Sequence, residues 1–288
     1  MIIVPLTING MGPFDFLLDT GSTRTVLDQK LAEELHLEPA GRATLESPDG
    51  AAVTTVAHTD SVSMGGATVR NLNMVVMSHY DLLPKVRGIL GEDFLRYFDI
   101  LIDNRRHLIQ FERGPGPLGV MLSGEHLPLS VYGSDGEKLT SDRLVVMGQL
   151  REFYEFGHKD AKLQLDSGTP HLLLCSQVGR AGVWQNSAAF EGIHGNNFAA
   201  DAQKALLRLG HRLFKVTVVV PAQNIPSFGV DGFLPTSLFS SIFISHSGRF
   251  VILDPSAKPK LAQSKPPFRT DTAIPDGTSL LIPSRTPE

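Results

Sequence analysis

The fold of this chain is decided by two short stretches, FLLDTGS at residues 16–22 and LQLDSGT at residues 163–169. In each stretch an apolar run leads directly into an aspartate, a small hydroxyl residue and a glycine. The apolar run predicts a buried strand, so each aspartate is expected to stand where a strand ends near the protein interior. One such motif arises easily by chance, but two with the same apolar approach indicate an internal repeat.

Further landmarks support the repeat, because they recur in the same order at an offset of 144 to 147 positions. VRGILG at 86–91 resembles VDGFLP at 230–235, VSMG at 62–65 matches LRLG at 207–210, and apolar residues 98–102 correspond to 242–246. We therefore predict two related halves, residues 1–113 and 144–255. The Gly-Pro-Gly-Pro run at 114–117 begins a connector over 114–143.

The last segment, residues 256–288, has a different character. Counting Pro255 just before it, the segment has seven prolines, and its only apolar cluster is Leu280-Leu281-Ile282. Such a segment buries too little apolar surface to offset the entropy cost of ordering, so we predict a disordered tail.

Composition narrows the fold and function classes. The 26 basic and 30 acidic residues of the 288 disfavour a nucleic-acid binder with a broad basic face, and we predict neither a nucleic-acid partner nor a membrane span. Short apolar runs separated by 27 glycines and 19 prolines indicate an all-β protein with minor helix. Hairpin strands are predicted around the Asn9-Gly10 turn, and short helices over 27–37, 92–98 and 198–207.

The repeat supplies two carboxyl groups that could act together in one site. A lone buried carboxylate is costly, but Asp19 and Asp166 could share a proton if the halves face each other. Gly21 and Gly168 would let the backbone approach closely, and the hydroxyls of Ser22 and Thr169 are expected to bond the carboxylates. Such a pair can supply a general base and a general acid together.

These paired motifs resemble the active-site loops of aspartic proteases, a family that is itself a standard example of a shared carboxyl proton. The resemblance implies a bilobed, pepsin-like architecture built from two retropepsin-like β-barrel lobes. Asp19 and Asp166 would be the catalytic pair, with Thr20 and Ser167 making hydroxyl contacts between the lobes. It also implies a peptide or protein substrate, no cofactor, no metal, and activity as a monomer.

The resemblance also implies a β-hairpin flap over the cleft. In the first half the candidate turn is Ser47-Pro48-Asp49-Gly50, and the repeat offset places a second candidate at His194 and Gly195. This sequence departs from the family in two respects, since neither candidate flap contains a tyrosine and Pro235 replaces the second glycine of the 88–91 element.

Two questions stay open at this point. The chain is either an aspartic endopeptidase or a catalytically inactive protein that binds peptides or a partner on the same fold. It shows no signal peptide and begins in what reads as a strand, which indicates a cytoplasmic protein, or an exported or periplasmic one if the N-terminus is truncated. The single cysteine, Cys175, follows an apolar run and is interpreted as a core residue.

Overall fold

The computed structural model describes residues 1–47, 50–77, 83, 85–154, 157–175, 186–191, 197–222, 225–257 and 280–283. Within them the chain is mostly β-strand with few helices, so the predicted all-β class is confirmed. The first seven strands are β1 (Ile2–Ile8), β2 (Met11–Leu18), β3 (Val26–Asp28), β4 (Pro39–Ser47), β5 (Gly50–Met64), β6 (Ala67–Met77) and β7 (Val86–Leu90).

These seven strands form one sheet in the order β1-β2-β7-β3-β6-β5-β4. Strand β1 also pairs with β5, through Thr7 with Ser63 and Ile8 with Val62. This extra pairing closes six of the strands into a barrel, which we call the first barrel. The remaining strand, β4, extends from β5 as a hairpin arm.

Short helices and strands lie between and after the strands of the first barrel. The helices are α1 (Gln29–Glu34) between β3 and β4, α2 (Glu92–Leu95) after β7, and α3 (Pro117–Met121). The strands are β8 (Asp99–Asp103), β9 (Leu108–Glu112), β10 (Leu122–Ser123) and β11 (His126–Pro128).

A second set of seven strands repeats the topology of the first. These are β12 (Val145–Tyr154), β13 (Gly157–Asp166), β14 (Leu172–Leu174), β15 (Asn186–Glu191), β16 (Asn197–Leu209), β17 (Arg212–Pro221) and β18 (Gly232–Pro235). Their order is β12-β13-β18-β14-β17-β16-β15, and an additional β12–β16 pairing closes the second barrel. Strand for strand this is the order of the first barrel, the topology that an internal duplication predicts.

A third sheet joins the two halves of the chain. After the short 3-10 helix Thr236–Leu238, the last strands are β19 (Ser241–Ser245), β20 (Phe250–Leu253), β21 (Ser256–Ala257) and β22 (Leu280–Pro283). The six-stranded order is β11-β20-β19-β8-β9-β22, and β8 pairs directly with β19. The 114–143 connector contributes β11 to this sheet, so it is not a plain linker.

Local sequence signals explain two of these elements. The β1–β2 hairpin turns at Asn9 and Gly10, whose φ angles of 51° and 78° are the positive values that a tight two-residue turn requires. Helix α1 begins after Asp28, whose side chain accepts a hydrogen bond from the Leu31 amide as an N-cap. It ends at Glu34, shorter than predicted.

Two expectations differ from the structure. Residues 198–207 were expected to form a helix, but they lie in strand β16, where Ala205, Leu207 and Leu209 are buried at every second position. This alternation of buried residues, together with the pairing of β16 with β12 and β17, favours a strand over the helix that the local sequence predicts. In the tail predicted to be disordered, β21 pairs with β10. Strand β22 pairs with β9, because its apolar cluster at 280–282 can extend a sheet edge.

The hydrophobic core is continuous between the barrels and the joining sheet. Its largest fully buried side chains include Phe16, Phe94, Phe111 and Phe239. Among the described residues, none of the helices is both long and apolar enough to cross a membrane. The core thus anchors β2 and β13, the two strands that lead into the aspartate motifs.

Candidate active site

Both aspartates lie at the ends of equivalent strands. Asp19 directly follows β2, and its amide donates to the Leu90 carbonyl of the parallel neighbour β7 at 3.0 Å. Asp166 ends β13, in register with Pro235 of the parallel neighbour β18. An equivalent pair of parallel strands therefore supports each aspartate.

The structure brings the two carboxyl groups close enough together for each to shift the pKa of the other. Two glycines make this approach possible. A Cβ atom on Gly21 would lie 2.6 Å from Cγ of Asp166, and one on Gly168 would lie 3.0 Å from Cγ of Asp19. Each glycine thus packs against the carboxyl group of the opposite half.

Backbone amides hold both carboxyl groups in place. The Gly21 amide donates to Asp19 Oδ1 at 2.8 Å. On the other side, the amides of Gly168 and Thr169 donate to Asp166 Oδ1 at 2.7 and 3.0 Å. The orientation of the carboxyls is therefore set by the main chain.

Thr20 and Ser167 form a reciprocal network beneath the carboxyl pair. The Thr20 amide donates to Ser167 Oγ at 3.0 Å, and the Ser167 amide donates to Thr20 Oγ1 at 3.1 Å. Each hydroxyl also donates to a carbonyl of the opposite strand, Thr20 to Leu165 at 3.2 Å and Ser167 to Leu18 at 2.7 Å. Both side chains are buried, so the network joins the two halves where the aspartates meet.

Replacing Thr20 by valine should destabilise the protein by about 1–3 kcal/mol, because the buried Ser167 amide loses its acceptor and the Leu165 carbonyl its donor. Urea unfolding followed by circular dichroism measures the change. Ser22→Ala is the matched control, since its exposed hydroxyl bond goes to the nearby Arg24 carbonyl, and it should change stability by less than about 0.5 kcal/mol. Equal effects of the two substitutions would contradict a special role for the network.

The expectation that the hydroxyls of Ser22 and Thr169 bond the carboxylates is wrong for the structure described. Ser22 Oγ donates to the Arg24 carbonyl at 2.8 Å, and Thr169 Oγ1 to the His171 carbonyl at 3.1 Å. A hydroxyl readily bonds the backbone two residues along the chain. The loop amides occupy the positions on the carboxyls instead.

Burial raises the pKa of both aspartates. For Asp19, hydrogen bonds from the Gly21 amide and the Asp166 side chain oppose this effect. For Asp166, the negative charge of Asp19 adds to burial and holds the pKa well above its ordinary value, although the amides of Gly168 and Thr169 act against it. Two adjacent carboxyls cannot both ionise easily, so the pair retains one proton to higher pH than a free aspartate would.

The hairpin arm formed by β4 and β5 corresponds to the first flap candidate. Ser47 Oγ donates to the Gly50 carbonyl at 3.1 Å across its tip, while Pro48 and Asp49 lie outside the described residues. The second candidate lies at the β15–β16 hairpin, and His194 and Gly195 also fall outside the described residues. The flap role of both hairpins stays a prediction.

Pro235 does not remove the support behind the second aspartate loop. Strand β18 pairs in parallel with β13 and antiparallel with β14, as β7 does with β2 and β3. One hydrogen bond differs between the halves. In the first half the Gly91 amide donates to Thr25 Oγ1 at 3.2 Å. Pro235, at the corresponding position of the second half, has no amide hydrogen and cannot form this bond.

The sequence analysis missed a polar chain that reaches the Asp19 loop. Gln164 is fully buried, and its side-chain amide donates to the Gly21 carbonyl at 2.9 Å. Arg143 in turn donates from Nη1 to Gln164 Oε1 at 2.7 Å. The available signal was a glutamine inside an apolar strand, at the position where the first repeat has Leu17.

A second missed feature is a buried pair that links α2 to the turn after β19. Glu92 Oε2 lies 2.8 Å from His246 Nε2, and His246 Nδ1 lies 2.6 Å from the Phe98 carbonyl oxygen. Both side chains are nearly inaccessible. Because the carbonyl can only accept, His246 donates from Nδ1, and one more proton is needed between Nε2 and the carboxyl.

The pKa values of both members of this pair are raised. For Glu92 the main cause is burial, and the charges of Asp142 and Asp19 act in the same direction while His246 opposes them. For His246, burial by itself lowers the pKa, but its contacts with Glu92 and the charge of Asp99 outweigh that effect.

The free energy of unfolding should therefore fall as pH rises, because the folded chain holds these protons more tightly than the unfolded chain. The pair's contribution is complete below the ordinary values of 4.5 for Glu92 and 6.5 for His246, and is lost as pH rises through the raised values. Urea midpoints between about pH 4 and 8 measure this slope. Glu92→Gln, whose amide can still donate to Nε2 but does not titrate, should give a shallower slope, and an unchanged slope would contradict the assignment.

The described part of the chain shows no group of side chains suited to binding a metal ion. Across those ranges, no three His, Cys, Asp or Glu side chains come together in an arrangement that could hold a metal ion. Cys175 is buried, and burial raises the pKa of its thiol to about 12, as expected for a core residue.

Comparison with known proteins gives one family match. A family model described as "Aspartyl protease" matches residues 4–94, which include Asp19, the loop that follows it and the 88–91 element. A search of curated proteins finds no match. Among solved structures, a retropepsin-like aspartic protease from Rickettsia conorii is similar at 19% identity, over 33% of this chain and 70% of that chain, with a TM-score of 0.25. The family match supports an aspartyl protease relationship for the part of the chain that holds Asp19, and with it a protease function.

Proposed function

We propose that this protein is an aspartic endopeptidase in which Asp19 and Asp166 activate a water molecule between two lobes. The lobes are residues 1–113 and 144–255, each built on one barrel, and residues 114–143 connect them. The observation that carries the proposal is the pair of facing carboxyls, each packed against a glycine of the opposite half. The aspartyl protease match over residues 4–94 supports the same chemistry.

In the proposed reaction the two carboxyls have different protonation states. Asp19 begins ionised and takes a proton from the water, whose oxygen bonds to the peptide carbonyl carbon. Asp166 begins with the proton that the pair shares, and gives it to the carbonyl oxygen. The product of this step is a neutral tetrahedral diol that is not bonded to the protein.

The second half of the reaction restores both groups. Asp19 passes its proton to the amide nitrogen, the C–N bond breaks, and Asp166 recovers a proton from the diol as the carbonyl re-forms. The cycle ends with Asp19 ionised and Asp166 protonated. Because one shared proton is required, activity should fall as pH rises through the upper apparent pKa of the pair.

A peptide library incubated with the protein at several values between roughly pH 3 and 7 tests this function. We expect internal cleavage that a pepstatin-type inhibitor blocks. In ¹⁸O-labelled water, mass spectrometry should find the label in the newly formed carboxyl group, with no acyl-protein intermediate. If peptides bind without being cleaved at any pH, the chain is instead an inactive binding protein on the same fold.

A further inference from the structure

We propose that Arg143 determines substrate specificity by binding a carboxylate side chain, Glu or Asp, close to the scissile bond. This inference rests on the proposed function and deepens it, since it names a substrate class. It is carried by the position of the Arg143 guanidinium, its surroundings and the asymmetry between the two halves.

The position follows from strand geometry. Gln164 lies two residues before Asp166 in β13, and residues two apart in a strand lie on the same face. The Gln164 side-chain amide bonds the Gly21 carbonyl at 2.9 Å, and Arg143 Nη1 bonds Gln164 Oε1 at 2.7 Å. The guanidinium is therefore one side chain away from the loops that hold the carboxyl pair.

An aromatic ring contacts Arg143, and a negative charge on the hairpin arm acts on it. Its Cζ atom lies 5.4 Å from the centre of the Phe228 ring. The negative charge of Glu46, close to the end of β4 in the arm, also acts on the Arg143 guanidinium and partly offsets the lowering of its pKa by burial. An extended peptide lying under the arm and over the aspartates would pass this position.

The charge of Arg143 is incompletely compensated. Burial lowers its pKa, and Asp142 and Glu46 oppose that effect. In the ranges described, no carboxylate oxygen forms an ion pair with the guanidinium within 4.0 Å. A partly desolvated guanidinium has several donors in a planar fork, which suits a carboxylate better than a neutral amide.

In the described part of the first half, an apolar residue stands at the equivalent position. The residue that corresponds to Gln164 is Leu17, which is buried in an apolar cluster with Ile3 and Val26. A polar chain therefore approaches the carboxyl pair from one side only. We accordingly expect the acidic preference at one position of the substrate and not at its counterpart across the scissile bond.

Matched pairs of peptides test the inference. The two peptides of a pair differ only by Glu or Gln at one position, and the pairs cover the positions from two residues before to two residues after the scissile bond. Made with a reduced, non-cleavable bond, the pairs are compared by calorimetry on the wild type, Arg143→Gln and Arg143→Lys. At one position the wild type should bind the Glu peptide about tenfold more tightly than the Gln peptide. The preference should vanish in Arg143→Gln and persist in part in Arg143→Lys.

Thermal unfolding of each variant shows whether it is folded, and Arg143→Lys keeps the test decisive if Arg143→Gln does not fold. No Glu preference in the wild type, or the same preference in all three proteins, would overturn the inference. Cleavable versions of the same pairs keep the two proposals apart. Cleavage without an acidic preference refutes only the role of Arg143, whereas a binding preference without cleavage refutes only the endopeptidase.

Discussion

Asp19→Asn and Asp166→Asn should each lower kcat/KM by about 10³-fold or more, while leaving the protein folded. An amide cannot take a proton from water or give one to a carbonyl, so either substitution removes one of the two proton transfers. The loss should be similar for the single and the double variants, since the two groups act as one unit. Cleavage of one good library peptide, followed by chromatography, measures it.

Measuring the stability of each variant distinguishes a loss of catalysis from a loss of the folded structure. Burial raises the pKa of both aspartates, so at neutral pH the charged form is costly to hold in the folded chain. Replacing either carboxyl by an amide removes that cost, and the urea midpoint at about pH 7 should stay the same or rise. Retained cleavage in either variant would refute the shared mechanism, and a lower midpoint with lost cleavage would point to a structural cause instead.

Gly88→Ala should lower the free energy of unfolding by about 3 kcal/mol, the largest stability effect we expect from a single added methyl group. A Cβ atom at this position would lie 2.2 Å from the Val26 carbonyl oxygen and 2.4 Å from the Phe16 ring. The first of these is backbone in β3, which is held between β7 and β6 and cannot move aside cheaply. Urea unfolding measures the change.

Gly119→Ala is the control for this substitution. Its added methyl would meet only the far end of the Phe243 ring at 3.3 Å, and alanine is a better helix former than glycine in α3. Its stability should change by less than about 1 kcal/mol, because the Phe243 ring needs to shift by only a few tenths of an ångström. If Gly88→Ala lowered the free energy of unfolding no more than Gly119→Ala does, this would contradict the tight packing of β7 behind the Asp19 loop.

The features that were predictable from sequence are local or repeated. The turn at Asn9 and Gly10 depends on backbone conformations that few other residues adopt, and Asp28 caps α1 through a bond only three residues long. The pairing of Asp19 with Asp166 was accessible because the repeat shows it twice. Strand β16 was mistaken for a helix because its cross-strand partners, which decide its conformation, lie outside any local window.

The missed parts of the candidate site depend on distant pairs. Gln164 reads as an isolated polar residue in a strand until its bond to Gly21, 143 positions away, is known. Glu92 and His246 are 154 positions apart and belong to no motif. Contacts of this kind follow from how the two barrels and the joining sheet meet, which no periodicity in the chain encodes.

By itself, then, the sequence determined that this is an all-β chain with a duplicated aspartate motif, because strand periodicity and motif order are properties of neighbouring residues. Only the tertiary structure decided that the buried Gln164 side chain bonds the Gly21 carbonyl of the opposite half, and that Arg143 approaches the carboxyl pair from one side. The reason is physical, since hydrogen bonds and burial are settled between segments that meet only after folding, where a donor takes the acceptor that the packed chain brings within reach.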